Sequence, residues 1–234
     1  MTSSDFIDGL FSSVASHYDL MNDLMSLGAH RVWRRLFVKE LPWADLPSSF
    51  TYLDMSCGTG DMGGMVLDQA DAYQKNIHAF FCDPNRDMLE KAQKKWTNPS
   101  IEWVQTYAET TPFQDESIDL YTVAFGLRNT QDRSASLQEV YRILKPGGFF
   151  FCLEFSMPAH PILKSVYKPY LRFGLPVLGR WIAHNAAAYR YLGDSICSFP
   201  SPYILEAEMA QVGLNSIGHR LLMEGIVAIH WGEK

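Results

Sequence analysis

Leu53-Asp54-Met55-Ser56-Cys57-Gly58-Thr59-Gly60-Asp61 stands where an apolar run gives way to a helix-forming one, and its reading decides the fold. Phe50 to Met55 has the composition of a buried strand, and Asp61 to Ala70 can form the helix that follows. Glycines at such a junction allow a tight turn and let a ligand approach the backbone, while the helix start presents free N–H groups. Gly58, Gly60 and Gly63 also satisfy G-x-G-x-x-G, with Asp83 twenty residues beyond Gly63, so a dinucleotide site is one reading. The acids favour another. A pyrophosphate would meet Asp61 at close range, whereas the sulfonium and ammonium of S-adenosylmethionine would be attracted by Asp54 and Asp61. Asp83 can accept hydrogen bonds from both ribose hydroxyls with either cofactor. Asp61 also has a purely structural role open to it, as an acid at a helix start. On spacing alone both cofactors remain open.

Outward from this turn, strand-like and helix-like runs alternate, the pattern of a parallel sheet covered on both faces. Strands are expected at Ile77 to Cys82, Ile101 to Gln105, Ile118 to Phe125 and Phe149 to Leu153, with helices from Asn85 to Trp96 and Asp132 to Leu144. Lys145-Pro146-Gly147-Gly148 should stop the latter helix. Leu214 to Leu222 and Ile226 to Trp231 have a connection short enough for an antiparallel pair. Phe6 to Leu41 reads as helical and ends at Pro42. Met157 to Pro200 reads as irregular, and Ser201-Pro202 offers a cap and first-turn proline for a helix to about Val212.

At 234 residues and 47% hydrophobic the chain can bury a sizeable core, and its net charge of -6 argues against general nucleic-acid binding. Cys57, Cys82, Cys152 and Cys197 show no metal-ligand spacing and read as reduced thiols, so no metal is expected. Neither a secretory signal nor a membrane span is visible, which suggests a cytoplasmic protein. The charge is unevenly spread. Phe155 to Gly193 carries Lys164, Lys168, Arg172, Arg180 and Arg190 and no acid, leaving a formal -11 on the rest of the chain. Interleaved with Ile162, Val166, Phe173, Val177 and Trp181, these cations suit a surface facing anionic lipid, on the inner face of a membrane; a packed lid or a dimer contact would use the same residues.

Tyr18-Asp19-Leu20-Met21-Asn22-Asp23-Leu24-Met25-Ser26-Leu27-Gly28-Ala29-His30-Arg31-Val32-Trp33 closely resembles the opening signature of the UbiE/COQ5 C-methyltransferases of ubiquinone and menaquinone biosynthesis. Arg142-Ile143-Leu144-Lys145-Pro146-Gly147-Gly148 through Leu153-Glu154-Phe155-Ser156 resembles a second signature of that family. Ala124 to Asn129, Tyr189-Arg190-Tyr191-Leu192 and Gly225 to His230 do likewise. The resemblance implies one α/β domain over 1–234 with the Rossmann-like class I methyltransferase fold, a seven-stranded sheet in the order 3-2-1-4-5-7-6 and helices on both faces. Within it, 1–48 would be an N-terminal helical cap, 49–156 the cofactor-binding core, 157–200 a lid and 201–234 a closing helix and strand pair. S-adenosyl-L-methionine is the cofactor implied. Thr59 in the turn, Asp83 on the ribose, Tyr107 and Ala108 beside adenine and Ala124 after the fourth strand are the contacts carried over, with Gly58 and Gly60 shaping the turn, Asp54 before it and Tyr18 closing over the cofactor.

Three departures from the family pattern accompany this. Ser56 replaces the first glycine of the broad motif, Tyr107 stands where Asn or Asp is usual, and Asn185 and Ala187 replace commonly acidic residues. The resemblance implies methylation of a ring carbon of a polyprenyl benzoquinol, a demethylmenaquinol or both. The ring must then act as a carbon nucleophile, aided by deprotonation of an adjacent hydroxyl. Arg128 and Asn129 follow the fourth strand at the ligand-binding edge of such sheets. Arg128 is expected to stabilise a phenolate and Asn129 to orient a ring oxygen, with a water on Arg128, Tyr189 or His30 relaying the proton. Each has a structural alternative: an ion pair for Arg128, a packed lid aromatic for Tyr189, a backbone-bonded helix residue for His30. Other readings are another small-molecule methyltransferase and a non-catalytic subunit of a quinone-synthesis complex. A second copy of the chain or such a complex is the further partner implied.

Overall fold

The computed structural model describes residues 26, 28–182 and 186–234. In chain order these form α1 (Ala29–Glu40), β1 (Ser49–Met55), α2 (Asp61–Ala72), β2 (Asn76–Asp83), α3 (Arg86–Lys95), β3 (Ile101–Gln105), β4 (Ile118–Ala124), α4 (Arg133–Ile143) and β5 (Leu144–Phe155). There follow α5 (Pro161–Pro169), α6 (Leu175–Ile182), α7 (Ala186–Ser198), α8 (Pro202–Gln211), β6 (Asn215–Leu222) and β7 (Val227–Glu233). The seven strands make one sheet in the order β3-β2-β1-β4-β5-β7-β6, parallel except for β7, which runs antiparallel to both neighbours. This is the expected order. Two apolar layers cover the faces, one including Trp33, Phe37, Tyr52 and Phe81, the other Leu53, Tyr121, Phe150 and Met209.

Local chemistry explains the element starts. The Asn85 side chain accepts from the Met88 N–H at 3.0 Å and caps α3, and Asp132 accepts from Ala135 at 3.0 Å to cap α4. Pro202 takes the first turn of α8, but Ser201 makes no side-chain cap bond. Gly60 caps α2 in a left-handed conformation, φ 78°. A Cβ on Gly63 would lie 2.2 Å from the Phe81 ring, so the third glycine of the motif serves the close packing of α2 on β2.

Two expectations differ from the structure. The strand expected from Phe149 begins at Leu144, because Lys145 to Gly148 continues the extended run and Gly147, φ 76°, donates its N–H to the Lys234 carbonyl. The segment after β5 is helical, not irregular. Pro161 occupies the first turn of α5, where a missing N–H costs nothing, and Pro169 gives way to a π-helical turn at Tyr170–Gly174 before α6. Leu171, Leu175, Ala188, Tyr189, Leu192 and Ile196 then form a small core of their own. Of the helix expected over 6–41, only its end, α1, lies among the described residues, and it starts after Gly28 at φ 78°.

Candidate active site

The carboxyl ends of β1, β2 and β4 converge on the glycine turn. Asp83, ending β2, accepts the Gly58 N–H at 2.9 Å on one oxygen and the Asn85 N–H at 2.8 Å on the other. The turn is thus fixed by the same carboxylate expected to face a ribose. Asp54, at the end of β1, accepts from Gly63 N–H at 2.9 Å and from the Thr122 hydroxyl at 3.0 Å. Burial pushes the Asp54 carboxyl up to about 7, against the hydrogen bonds from Thr122 and Gly63 and the nearby positive charge of Arg34.

Asp61 differs. It receives Arg34 Nη1 at 3.3 Å, the Thr59 hydroxyl at 3.2 Å and the Lys95 ammonium. Burial works against ionisation, but Lys95, Arg34 and Thr59 together hold Asp61 below the ordinary carboxylate range. Arg34, Asp54, Ser56, Thr59, Asp61 and Ala124 line a cavity of about 20 Å³, room for one water. Arg34 is the residue that motif reading missed: it lies on α1, two residues beyond Val32, and only the fold carries it to the turn.

Further along, Tyr107 is exposed and pairs with Thr110 in an isolated bridge, while Ala108 is buried beside it. Trp96 donates its indole N–H to the Thr59 carbonyl at 3.1 Å and packs its ring against Gly60 and Gly64. Ser56 and Phe125, φ 55° and 59°, are left-handed non-glycine residues at the ends of β1 and β4. Such strained backbone is held by its surroundings and concentrates at ligand sites. Ser56 replaces the motif glycine because its left-handed conformation is tolerated here, its side chain lying where Gly126 leaves room.

Beyond β4, Arg128 Nη1 donates to Glu154 Oε1 at 2.9 Å and to the Phe125 carbonyl. Glu154 also accepts the Arg128 and Phe155 backbone N–H groups. Burial raises the Glu154 carboxyl, and Arg128 with these backbone donors opposes the rise. Arg128 therefore makes the ion pair foreseen as its structural role. Its Nε has no hydrogen-bond partner among the described residues, so donors remain for a ligand. Asn129 Oδ1 accepts the Tyr191 hydroxyl at 3.2 Å.

Tyr189 and Tyr191 are placed differently. Tyr189 lies inside the lid core against Gly179, its hydroxyl buried without a hydrogen-bond partner among the described residues; Tyr191, two residues on, is the one that reaches Asn129. Helical spacing decides this, since the two side chains diverge by about 200° around α7. His30 is buried, and its Nδ1 lies 2.8 Å from the hydroxyl of Ser26, which precedes α1. Tyr18 and Asn185 lie outside the described residues.

The residues fit the expected methyl donor. Carboxylates stand where a cationic, ribose-bearing ligand would need acceptors, and a buried arginine nitrogen without a partner among the described residues lies beside the same turn. The model of the ubiE/COQ5 methyltransferase family matches residues 1–234. A Rickettsia typhi protein named ubiquinone/menaquinone biosynthesis C-methyltransferase UbiE is 41% identical over 228 residues, covering 96% of this chain and 90% of that one. A Bradyrhizobium protein of the same name is 41% identical over 232 residues, covering 97% and 90%. Among solved structures, a Thermotoga maritima S-adenosylmethionine-dependent methyltransferase, described as a possible histamine N-methyltransferase, aligns with TM-score 0.65 and 19% identity over 97% of this chain and 99% of that one. A Haemonchus contortus phosphoethanolamine N-methyltransferase 2 in complex with S-adenosyl-L-methionine gives 0.62 and 13%, covering 86% and 52%. These two establish likeness of fold.

Proposed function

Since the chain belongs to the ubiE/COQ5 methyltransferase family, we infer that it methylates a ring carbon of a quinol, and that Arg128, Asn129 and Tyr191 handle the ring. The protein is an S-adenosylmethionine-dependent C-methyltransferase of ubiquinone/menaquinone biosynthesis. The acceptors we propose are a polyprenyl benzoquinol and a demethylmenaquinol. The observation that carries the residue assignment is the buried Arg128–Glu154 pair beside Asn129, at the end of β4 and next to the glycine turn.

Bound S-adenosylmethionine supplies an electrophilic methyl group. Asp83 would accept the ribose hydroxyls, Gly58, Thr59 and Gly60 would pass beneath the ligand, and Tyr107 and Ala108 would flank the adenine. Ala124 and Asp54 would border its methionine end. Glu154 orients the Arg128 guanidinium, whose remaining N–H groups would donate to a ring oxygen as it gains negative charge. A donor placed in advance where charge develops is an effective form of catalysis. Tyr191, donating to Asn129 Oδ1, fixes the Asn129 amide, whose Nδ2 gives one N–H to the Phe125 carbonyl at 3.4 Å and would offer the other to the ring oxygen. A guanidinium stays protonated, so the ring proton would leave through a water held by Arg128.

The lid supplies the route for the polyprenyl tail. Lys164, Lys168 and Arg172 border an apolar cleft, and Ile162, Val166, Phe173 and Trp181 are largely exposed nearby. We propose that this face rests on an anionic membrane surface. No described helix is long and apolar enough to cross one.

The test is a methyl-transfer assay with labelled donor, offering demethylated benzoquinol and naphthoquinol side by side under reducing conditions. Labelled ring product from either supports the reading. No product from both, with cofactor binding intact, would favour a non-catalytic subunit.

A further inference from the structure

We propose that Arg34 binds the carboxylate at the amino-acid end of the methyl donor, and that Arg34 and Asp61 together form a receptor for a zwitterion. The proposal rests on the S-adenosylmethionine reading and assigns a residue that neither motif nor charge count singled out. The adenosine half has its partners on the β2 side, at Asp83 and beyond toward Ala108. The amino-acid half must then point to the β1 and β4 side, where the cavity behind the turn lies. An α-amino-acid head brings one ammonium and one carboxylate. Asp54 and Asp61 can serve the ammonium, and Arg34 is the cation among the residues lining that cavity.

Arg34 is held in a way that suits exchange. Its guanidinium makes one contact with Asp61, Nη1 to Oδ2 at 3.3 Å, and its Nε is buried without a hydrogen-bond partner among the described residues. A buried donor left unpaired is costly, and a carboxylate presenting two oxygens to Nε and an Nη would satisfy it in the bidentate geometry arginine favours. Asp61 need not lose its balance when Arg34 turns away, because Lys95 also pairs with it and the ligand ammonium can take the vacated oxygen. The cavity of about 20 Å³ admits one water, so the amino-acid head enters only when a lining side chain moves. The Arg34–Asp61 pair is the contact that opens. Each partner then takes the ligand group of opposite charge.

Calorimetric binding of S-adenosylmethionine and of its decarboxylated analogue, which keeps the ammonium and lacks the carboxylate, tests this directly. The wild type should prefer the carboxylated ligand by about 10- to 100-fold, the range for a hydrogen bond between charged partners. Arg34→Gln and Arg34→Met should abolish that preference by weakening S-adenosylmethionine alone, and Arg34→Lys should keep part of it. Asp61→Asn should weaken both ligands by similar factors, because both carry the ammonium. A preference that survives in both neutral variants, or an equal loss for both ligands, overturns the assignment; the latter would mean that Arg34 only braces the turn. Thermal unfolding of each variant reports whether it is folded. Failure of the wild type to bind either ligand would instead count against the cofactor reading itself.

Discussion

Arg128 Nη1 lies 2.9 Å from Glu154 Oε1, and the two side chains are 7% and 0% exposed, so a full ion pair sits between the end of β4 and β5 beside the glycine turn. The Arg128 guanidinium also lies 5.4 Å from the Phe155 ring centre, and that ring packs on Phe125 and Trp33. Removing one partner of a buried pair strands the other charge.

Glu154→Gln and Arg128→Ala are therefore each expected to lower unfolding free energy by about 3–5 kcal/mol in denaturant titrations. The double variant Arg128→Met with Glu154→Leu should regain most of that stability while remaining without turnover. Restored turnover in the double variant would remove Arg128 from the chemistry. Cofactor binding by the double variant should stay close to that of the wild type, which separates a ring-handling role from a collapsed site.

Tyr189 and Tyr191 should behave differently. Tyr191→Phe removes the hydroxyl bonded to Asn129 and should reduce kcat/KM for the quinol about 2- to 10-fold, the scale of one neutral hydrogen bond. Tyr189→Phe deletes a buried hydroxyl without a partner among the described residues and should leave kcat/KM unchanged with equal or higher thermal stability. The reverse ranking would return the role to Tyr189.

His230 gives a pH dependence. Burial, reinforced by His219, pushes its imidazole down to about 3, so the unfolded chain takes up this proton near pH 6.5 and the folded chain does not. Stability from this group is present above about pH 6.5 and is lost as pH falls toward 3, by up to about 5 kcal/mol. The stability of wild type relative to His230→Leu should accordingly decline over that window. A difference constant between pH 7 and 4 would show that His230 does not resist protonation in the fold.

Asp54 acts with the opposite sign. Its folded value of about 7 stands above the unfolded one near 3.8, so its contribution is fully present below about pH 3.8 and falls as pH rises toward 7, by up to about 4 kcal/mol. Asp54→Asn should remove this dependence, narrowing its stability gap to wild type as pH rises through that range. A gap that instead widens with rising pH would mean that Asp54 ionises without penalty.

For the membrane face, sedimentation with phosphatidylglycerol-containing vesicles should recover the wild type and release it as salt rises. Lys164→Glu combined with Lys168→Glu should weaken recovery roughly tenfold or more. Trp181→Ser, changing a side chain that is 80% exposed, should weaken it at all salt concentrations. Equal recovery on neutral and anionic vesicles would set the electrostatic part aside.

The alternation of strands and helices, the glycine turn and the family signatures were legible in the sequence because they rest on local signals: strand and helix periods, capping residues, and motifs a few residues long; the sheet order followed only from the family resemblance. Asp83, Gly58 and Gly60 could be placed at the turn for the same reason. The lid was not, since its prolines read as breaks, whereas Pro161 sits in a helix start and Pro169 yields to a π-turn. Arg34 on Asp61, Glu154 under Arg128 and Tyr191 on Asn129 join residues 27, 26 and 62 positions apart. Pairings at such separations depend on how α1 and the lid helices pack on the sheet, and on which side chains that packing buries. The sequence by itself determined what chemistry this protein performs and with which cofactor; only the tertiary structure decided which cation meets which carboxylate, because burial and contact across distant elements are not written in any local pattern.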